Sequence, residues 1–404
     1  MREDGTVLLR ALGMGAPAGL AMLLLSGNGG HTPLAAQSFA TVEREVQAGV
    51  RRGIYPGAVV IIGRHDRVLY RRGIGRLTWS AGAPRPTPDG TLWDLASLTK
   101  VLATASTAAR LVDRGQLDLD APVRQYLPGF AGTGKERVTV RMLLDHTSGL
   151  PAWLPLWRET ASRDEAIARV LAEPLARPAG ASAVYSDLNA ILLGLVIERV
   201  TGQSLADAAR EEVFIPLGLA TTRFRPAPGQ GLRIAPTDRS RPATARGEVN
   251  DQNAAHFGGV AGHAGLFATA DDVARFAQAW LRGGVADDGT WVRGETLRAF
   301  LQRSASSGTR LLGWDSPDPL ASPSVFGTLV SASAYGHTGF TGTELWIDPA
   351  RDLFLVFLTN RTYDPRVRDA AGAIRLVRAR VSDATLRAFE AACVAARVPE
   401  ARAC

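Results

Sequence analysis

Ser97-Leu98-Thr99-Lys100 sets a hydroxyl and an amine three residues apart, and on a helix positions i and i+3 share a face. A serine hydroxyl is a poor nucleophile until something takes its proton, and a desolvated lysine can be neutral and do so. At a helix N-terminus Ser97 would also gain backbone N–H groups and a favourable dipole for a developing oxyanion. The chain holds only two lysines, Lys100 and Lys135, so this is its only S-x-x-K. A chance pair on a helix is the alternative.

Three further segments hold groups suited to acyl chemistry. Tyr185-Ser186-Asp187 precedes a helical run, and a loop tyrosine beside a lysine can carry a proton; the alternative is a packed tyrosine with Asp187 as helix cap. Tyr335-Gly336-His337-Thr338-Gly339-Phe340-Thr341-Gly342 leads into a strand, and its glycines would let a substrate approach the backbone. There His337 and Thr338 could hold a substrate carboxylate, or the segment could be a turn. Leu143–Pro151 contains Asp145-His146, which suggests a Ser-His-Asp triad, but its polar residues and the stop at Gly149 and Pro151 read better as a helix end. No G-x-S-x-G occurs, so a hydrolase nucleophile elbow is not supported. Gly258–Leu266 has the glycine content of a phosphate loop but lacks the following Lys-Ser/Thr, and reads as a tight turn or a pocket rim near Asn253 and His256. His65, His146, His256, His263 and His337 give no metal-ligand spacing, and no cofactor is expected.

The elements that must position these groups follow from hydrophobic period. Apolar residues at Phe39, Val42, Val46 and Val50 predict a helix over 39–52. Gly57–Gly63 and Val68–Tyr70 around His65-Asp66 predict a hairpin, as do Thr343–Ile347 and Leu353–Leu358 around Asp348–Asp352. Ala96–Leu111 reads as a buried helix, Ala190–Val200 and Ala270–Leu281 as two more, and Arg366–Ala395 as a long amphipathic one. Both ends thus supply helix and antiparallel hairpin while the middle supplies helices. The expected architecture is α+β: residues 37–95 and 326–404 form one domain from both termini, and 96–325 a mostly helical insertion, with chemistry at the junction.

The charge of +7 could mean a polyanionic partner, but the arginines are scattered and the densest groups are pairs such as Arg51-Arg52, so nucleic-acid binding is not expected. Arg2 and Arg10 flank a short polar start, Ala11–Leu25 is apolar or small apart from one proline, and Leu34-Ala35-Ala36-Gln37 offers a cleavage site. Residues 1–36 therefore read as a signal peptide, too short in its apolar run for a spanning helix, with an uncleaved anchor as the alternative. The expected location is periplasmic or extracellular. Cys393 and Cys404, far from every motif, could close a small loop in an oxidising compartment.

Together these segments resemble the serine β-lactamase and penicillin-binding-protein superfamily, in the branch using S-x-x-K, Y-x-N and K-T-G or H-T-G, which holds class C β-lactamases, D-alanyl-D-alanine carboxypeptidases, family VIII esterases and muropeptide amidases. The order Ser97, Tyr185, His337 matches, and Trp93-Asp94-Leu95-Ala96 and Gly339-Phe340-Thr341-Gly342-Thr343 add to the likeness, which covers about residues 40 to 375. The resemblance implies an antiparallel sheet flanked by helices and an acyl-enzyme on Ser97. Lys100 would take the proton or keep Tyr185 deprotonated to do so, and Tyr185 would protonate the leaving group. Backbone N–H groups of Ser97 and Phe340 would form the oxyanion hole. Asp187, His337, Thr338 and Gly339 would contact a small substrate: a peptidoglycan fragment, an ester or a β-lactam. A penicillin-binding sensor with little turnover is the alternative. Two positions depart from the pattern. Asp187 stands where Asn is usual and can only accept hydrogen bonds when ionised, so it is expected to bind Lys100 or a substrate N–H and to read β-lactam acylamide side chains poorly. His337 replaces a lysine, so a carboxylate anchored there would lose affinity as pH rises.

Overall fold

A computed structural model describes residues 39–227, 231–240, 247–318 and 324–395. The segments read as signal peptide or membrane anchor, and Cys404, lie outside them. Among the described residues no helix is long and apolar enough to cross a membrane.

Helix α1 (Ala40–Arg51) leads into the hairpin of β1 (Gly57–Gly63) and β2 (Val68–Gly75). Strand β3 (Thr91–Asp94) pairs antiparallel with β4 (Leu266–Ala268) in a small second sheet that the sequence reading did not foresee. Between them lies α2 (Asp187–Thr201), and after β4 comes α3 (Ala270–Leu281). The chain ends with β5 (Tyr335–Thr338), β6 (Glu344–Asp348), β7 (Leu353–Thr359) and α4 (Ala370–Ala395). The main sheet has the order β2-β1-β7-β6-β5, antiparallel throughout. Its seam is β1 on β7, with Val60 opposite Phe357, so the two ends of the chain are joined at the centre of one sheet.

Strand period explains the layering. Alternate residues of a strand point to opposite faces. On β1, Val59 and Ile61 enter one core while Ala58, Val60 and Ile62 enter another; on β7, Phe354, Val356 and Leu358 divide in the same way from Leu353, Leu355 and Phe357. The second core is closed by α1 (Val42, Val46) and α4 (Ile374, Val377, Val381). The first is closed by the middle of the chain, notably Val273, Phe276 and Trp280 of α3. Helix α3 starts at Thr269, whose side chain caps it by accepting from Asp272 N. It continues the first core through Trp280, Trp314 and Tyr335, the last pair 5.0 Å apart edge to face.

Candidate active site

Ser97 follows β3 directly. Leu95 N–H donates to Leu266 O at 2.9 Å, and the chain then turns sharply. Ala96 takes a left-handed φ of 48° with its N–H donating to Asp94 Oδ1 at 2.9 Å, a conformation costly for a residue with a Cβ. The single helix predicted over 96–111 is three pieces: a 3₁₀ turn Ala96–Leu98, a π-helical stretch Lys100–Ala105, and an α-helix Ser106–Asp113. At the end of the π-helical stretch both the N–H and the Oγ of Ser106 donate to Val101 O, five residues back.

Lys100 is buried with its ammonium aimed back at the serine. Its Nζ lies 3.0 Å from Ser97 Oγ, 3.1 Å from His263 O and 2.8 Å from Asp187 Oδ1. Burial works against its charge, but the Asp187 carboxylate and the Tyr185 phenol outweigh burial and push it up to about 12. Of the two roles the sequence leaves open for Lys100, direct base or support for a deprotonated Tyr185, the ion pair with Asp187 favours the charged, supporting one. Asp187 is the first residue of α2 and not its cap, a position where the helix dipole favours a carboxylate. The ligand atoms of Asp187, Asp251 and His263 lie within 4.8 Å of one another, a spacing open to a cation, and the Lys100 ammonium bonded to Asp187 supplies one.

Tyr185 is held by the segment before it in sequence. Val184 N–H donates to His146 O, Ser186 N–H donates to His146 Nδ1, and Asp187 N–H donates to Ala152 O. The Tyr185 ring lies between His146, 4.9 Å away, and His337, 5.8 Å away, with Lys100 Nζ 4.9 Å and the Arg310 guanidinium 4.8 Å from its centroid. His146 belongs to no triad: the Asp145 carboxylate accepts from Thr147 and Ser304 instead. Burial first, then the cations Arg310 and Lys100, hold His146 well below its usual value, and it acts as a neutral shelf for the phenol.

The third segment arrives on β5. His337 faces the phenol, and its Nδ1 lies 2.9 Å from Thr338 O. A carbonyl can only accept, so Nδ1 carries the proton and Nε2, buried without a partner among the described residues, is a free acceptor. Burial, Lys100 and Arg310 hold His337 well below its ordinary range. Burial therefore works against a charged His337 anchoring a carboxylate; the nearby partly exposed cation is Arg310, 3.5 Å from Asp315. After Thr338 the turn Gly339–Thr343 is tied to the nucleophile: Thr341 Oγ1 donates to Asp94 O at 2.7 Å and Thr343 Oγ1 to Leu95 O at 2.9 Å. A Cβ on Gly339 would stand 2.5 Å from Leu95 O, so only glycine permits this approach. Neither the Ser97 N–H nor the Phe340 N–H has an acceptor among the described residues.

Gly258–Leu266 is a packed turn behind the lysine. Gly262 O accepts from Thr104 Oγ1, and a Cβ on Gly262 would meet Ala190 O at 1.9 Å. His263 Nε2 meets Asp251 Oδ1 at 2.9 Å. Asn253 and His256 face inward to Leu154, Trp157 and Thr160. The sequence reading passed over Arg310 and Asp251, whose charges carry no motif and reach the site only through tertiary packing.

The family model described as Beta-lactamase matches residues 42–379. An Escherichia coli (strain K12) protein named as a D-alanyl-D-alanine carboxypeptidase is 33% identical over 347 residues, 77% of this chain and 80% of its own. The N-acetylmuramyl-L-alanine amidase of Bacillus subtilis (strain 168) is 33% identical over 359 residues, 80% of each. Among solved structures, EstCE1, a hydrolase with promiscuous acyltransferase activity, has a TM-score of 0.69 at 24% identity and covers 86% of this chain and 98% of that one. A penicillin-binding-protein homolog from Caulobacter crescentus has a TM-score of 0.67 at 24% identity, with 86% and 97% covered. These two share the fold.

Proposed function

Since the chain belongs to the Beta-lactamase family and is a serine hydrolase, we propose that it is exported, forms an acyl-enzyme on Ser97, and acts on a cell-wall-derived amide or peptide or on a small ester. The observation that carries the reading is one ammonium within 3.0 Å of the Ser97 hydroxyl and facing the Tyr185 ring, while bonded to Asp187. A charged lysine cannot accept the serine proton. It can stabilise a phenolate, so Tyr185 is the base and Lys100 its electrostatic support.

In the proposed cycle Tyr185 takes the proton of Ser97 Oγ as that oxygen attacks the substrate carbonyl. The oxyanion is met by the N–H groups of Ser97 and Phe340. Tyr185 returns the proton to the departing amine or alkoxide; water, deprotonated by the same phenolate, then attacks the acyl carbon, and Tyr185 passes that proton to Ser97 Oγ as the C–O bond breaks and the acid leaves. The names of the relatives favour peptidoglycan amides next to alanine, and Arg310 beside β5 suits a substrate carboxylate better than neutral His337.

Nitrocefin, p-nitrophenyl esters and muropeptides tested on wild type, Ser97→Ala and Tyr185→Phe decide the matter. Wild type should turn over at least the ester or the muropeptide and take a fluorescent penicillin at Ser97, and each variant should lose ~10³-fold or more in kcat/KM. Undiminished turnover by Ser97→Ala would overturn the assignment.

A further inference from the structure

Behind the turn that follows β5, α4 places a buried arginine that the cycle above does not use. Arg378 is 5% exposed, and its Nη2 donates to Gly339 O at 2.6 Å and to Thr343 O at 2.9 Å. The same two carbonyls close the loop from within: Gly339 N–H donates to Thr343 O, and Gly342 N–H to Gly339 O. One guanidinium nitrogen thus bridges both rims of the turn. The buried carboxyl nearest in charge is Glu344, but its two oxygens accept no hydrogen bond among the described residues. The guanidinium is directed at the loop carbonyls and forms no ion pair with that carboxyl.

The Gly339 carbonyl and the Phe340 N–H belong to one peptide group. A donor on the carbonyl polarises the amide and strengthens whatever bond its N–H makes, by ~10–30% per bond. The other face of the turn is fixed to Asp94 and Leu95 by Thr341 and Thr343, so a shift of the turn is a shift relative to Ser97.

We propose that Arg378 is a positioning residue for the oxyanion hole, holding the Gly339–Thr343 turn and polarising the Gly339–Phe340 peptide so that the Phe340 N–H meets the oxyanion. The proposal rests on the acyl-enzyme reading. It concerns the transition state alone, because the arginine lies behind the turn and touches no substrate.

The test compares wild type with Arg378→Met and Arg378→Lys in two assays, hydrolysis of p-nitrophenyl acetate and inhibition by phenylboronic acid, whose tetrahedral adduct with Ser97 puts an oxygen where the oxyanion forms. Thermal melting checks folding. Arg378→Met should lower kcat ~10–100-fold and weaken the boronate by a similar factor, with little change in KM. Arg378→Lys should recover part of both. A folded Arg378→Met with unchanged kcat, or with a loss carried by KM and an undiminished boronate affinity, overturns the proposal. Should Arg378→Met not fold, Arg378→Lys decides: parallel losses support the clamp, and wild-type values in both assays overturn it. Failure of the underlying reading looks different, since wild type itself would neither hydrolyse the ester nor take the boronate at Ser97, and both proposals would fall.

Discussion

At the scale of single residues, the site turns on which groups are charged. Asp187 satisfies a buried ammonium, and removing one partner of a buried pair is costly. Asparagine at that position would give up the ion pair and gain an amide donor for the acylamide carbonyl of a β-lactam. Asp187→Asn is expected to lower ester turnover while raising the ratio of nitrocefin to ester kcat/KM by roughly 3–10-fold, the worth of one hydrogen bond. A ratio that stays constant removes the argument that the carboxylate disfavours β-lactams. Arg310 makes a second case. With His337 neutral, two cations face the Tyr185 ring, Lys100 and Arg310. Arg310→Met withdraws the partly exposed one, so KM for a peptide ending in a carboxylate should rise several-fold while KM for an uncharged ester stays near the wild-type value. An unchanged KM for the carboxylated peptide would show that the guanidinium does not hold the carboxylate.

At the scale of elements, the catalytic groups come from four segments that meet because small residues let them. The β5–β6 turn reaches the nucleophile only where Gly339 lies against Leu95 O and Thr343 Oγ1. Gly339→Ala would set a methyl 2.5 Å from that carbonyl and part the turn from Ser97, with an expected loss of about 10²-fold in kcat and a folded chain by circular dichroism; near wild-type kcat would mean that the turn is not part of the oxyanion site. The same elements show what was legible in sequence. The helices around Val42 and Phe276 show the 3.6 period, the helix around Leu193 and the hairpin strands are near-continuous apolar runs bounded by turn residues, and the structure has all of them within a few residues. Ser97 and Lys100 were legible because three residues is one turn, whether that turn is 3₁₀ or α. The break of that helix was not legible, since it goes with the left-handed Ala96 and with Ser106 bonding five residues back to Val101 O, neither of which hydrophobic period reports. Nor were β3 and β4, whose few paired residues carry no readable alternation. The charge states of Lys100 and His337 stayed open in sequence for one reason: burial and neighbours set them, and Arg310 is 125 residues from Tyr185 in sequence yet 4.8 Å from its ring.

At the scale of the whole molecule, the sheet separates two cores and each encloses titratable groups that shape stability. His146 and His337 lie on the site side, held neutral well below 6.5 chiefly by burial. Their folded-state values are depressed, so the stability tied to their neutral form is present above the unfolded value and is lost as pH falls below it. Glu344 points to the other side, beneath α4, where burial pushes its carboxyl from 4.5 up to about 8 against the attraction of Arg378. Its sign is the reverse: stability is full below about 4.5, declines as the unfolded carboxyl ionises, and reaches its floor near pH 8. Each group changes stability by ~1.4 kcal/mol per pH unit within its own window. Among these three groups the two histidines outweigh the glutamate just below pH 6.5, so their joint contribution rises with pH there; above it only the glutamate's changes, and it falls. The melting temperature of the wild type should therefore peak near pH 6.5. Glu344→Gln, a neutral residue of the same shape, should flatten the limb between pH 6.5 and 8 and leave the acid limb in place. If the alkaline limb of Glu344→Gln keeps the wild-type slope, the carboxyl behind the oxyanion turn is not the group that sets it.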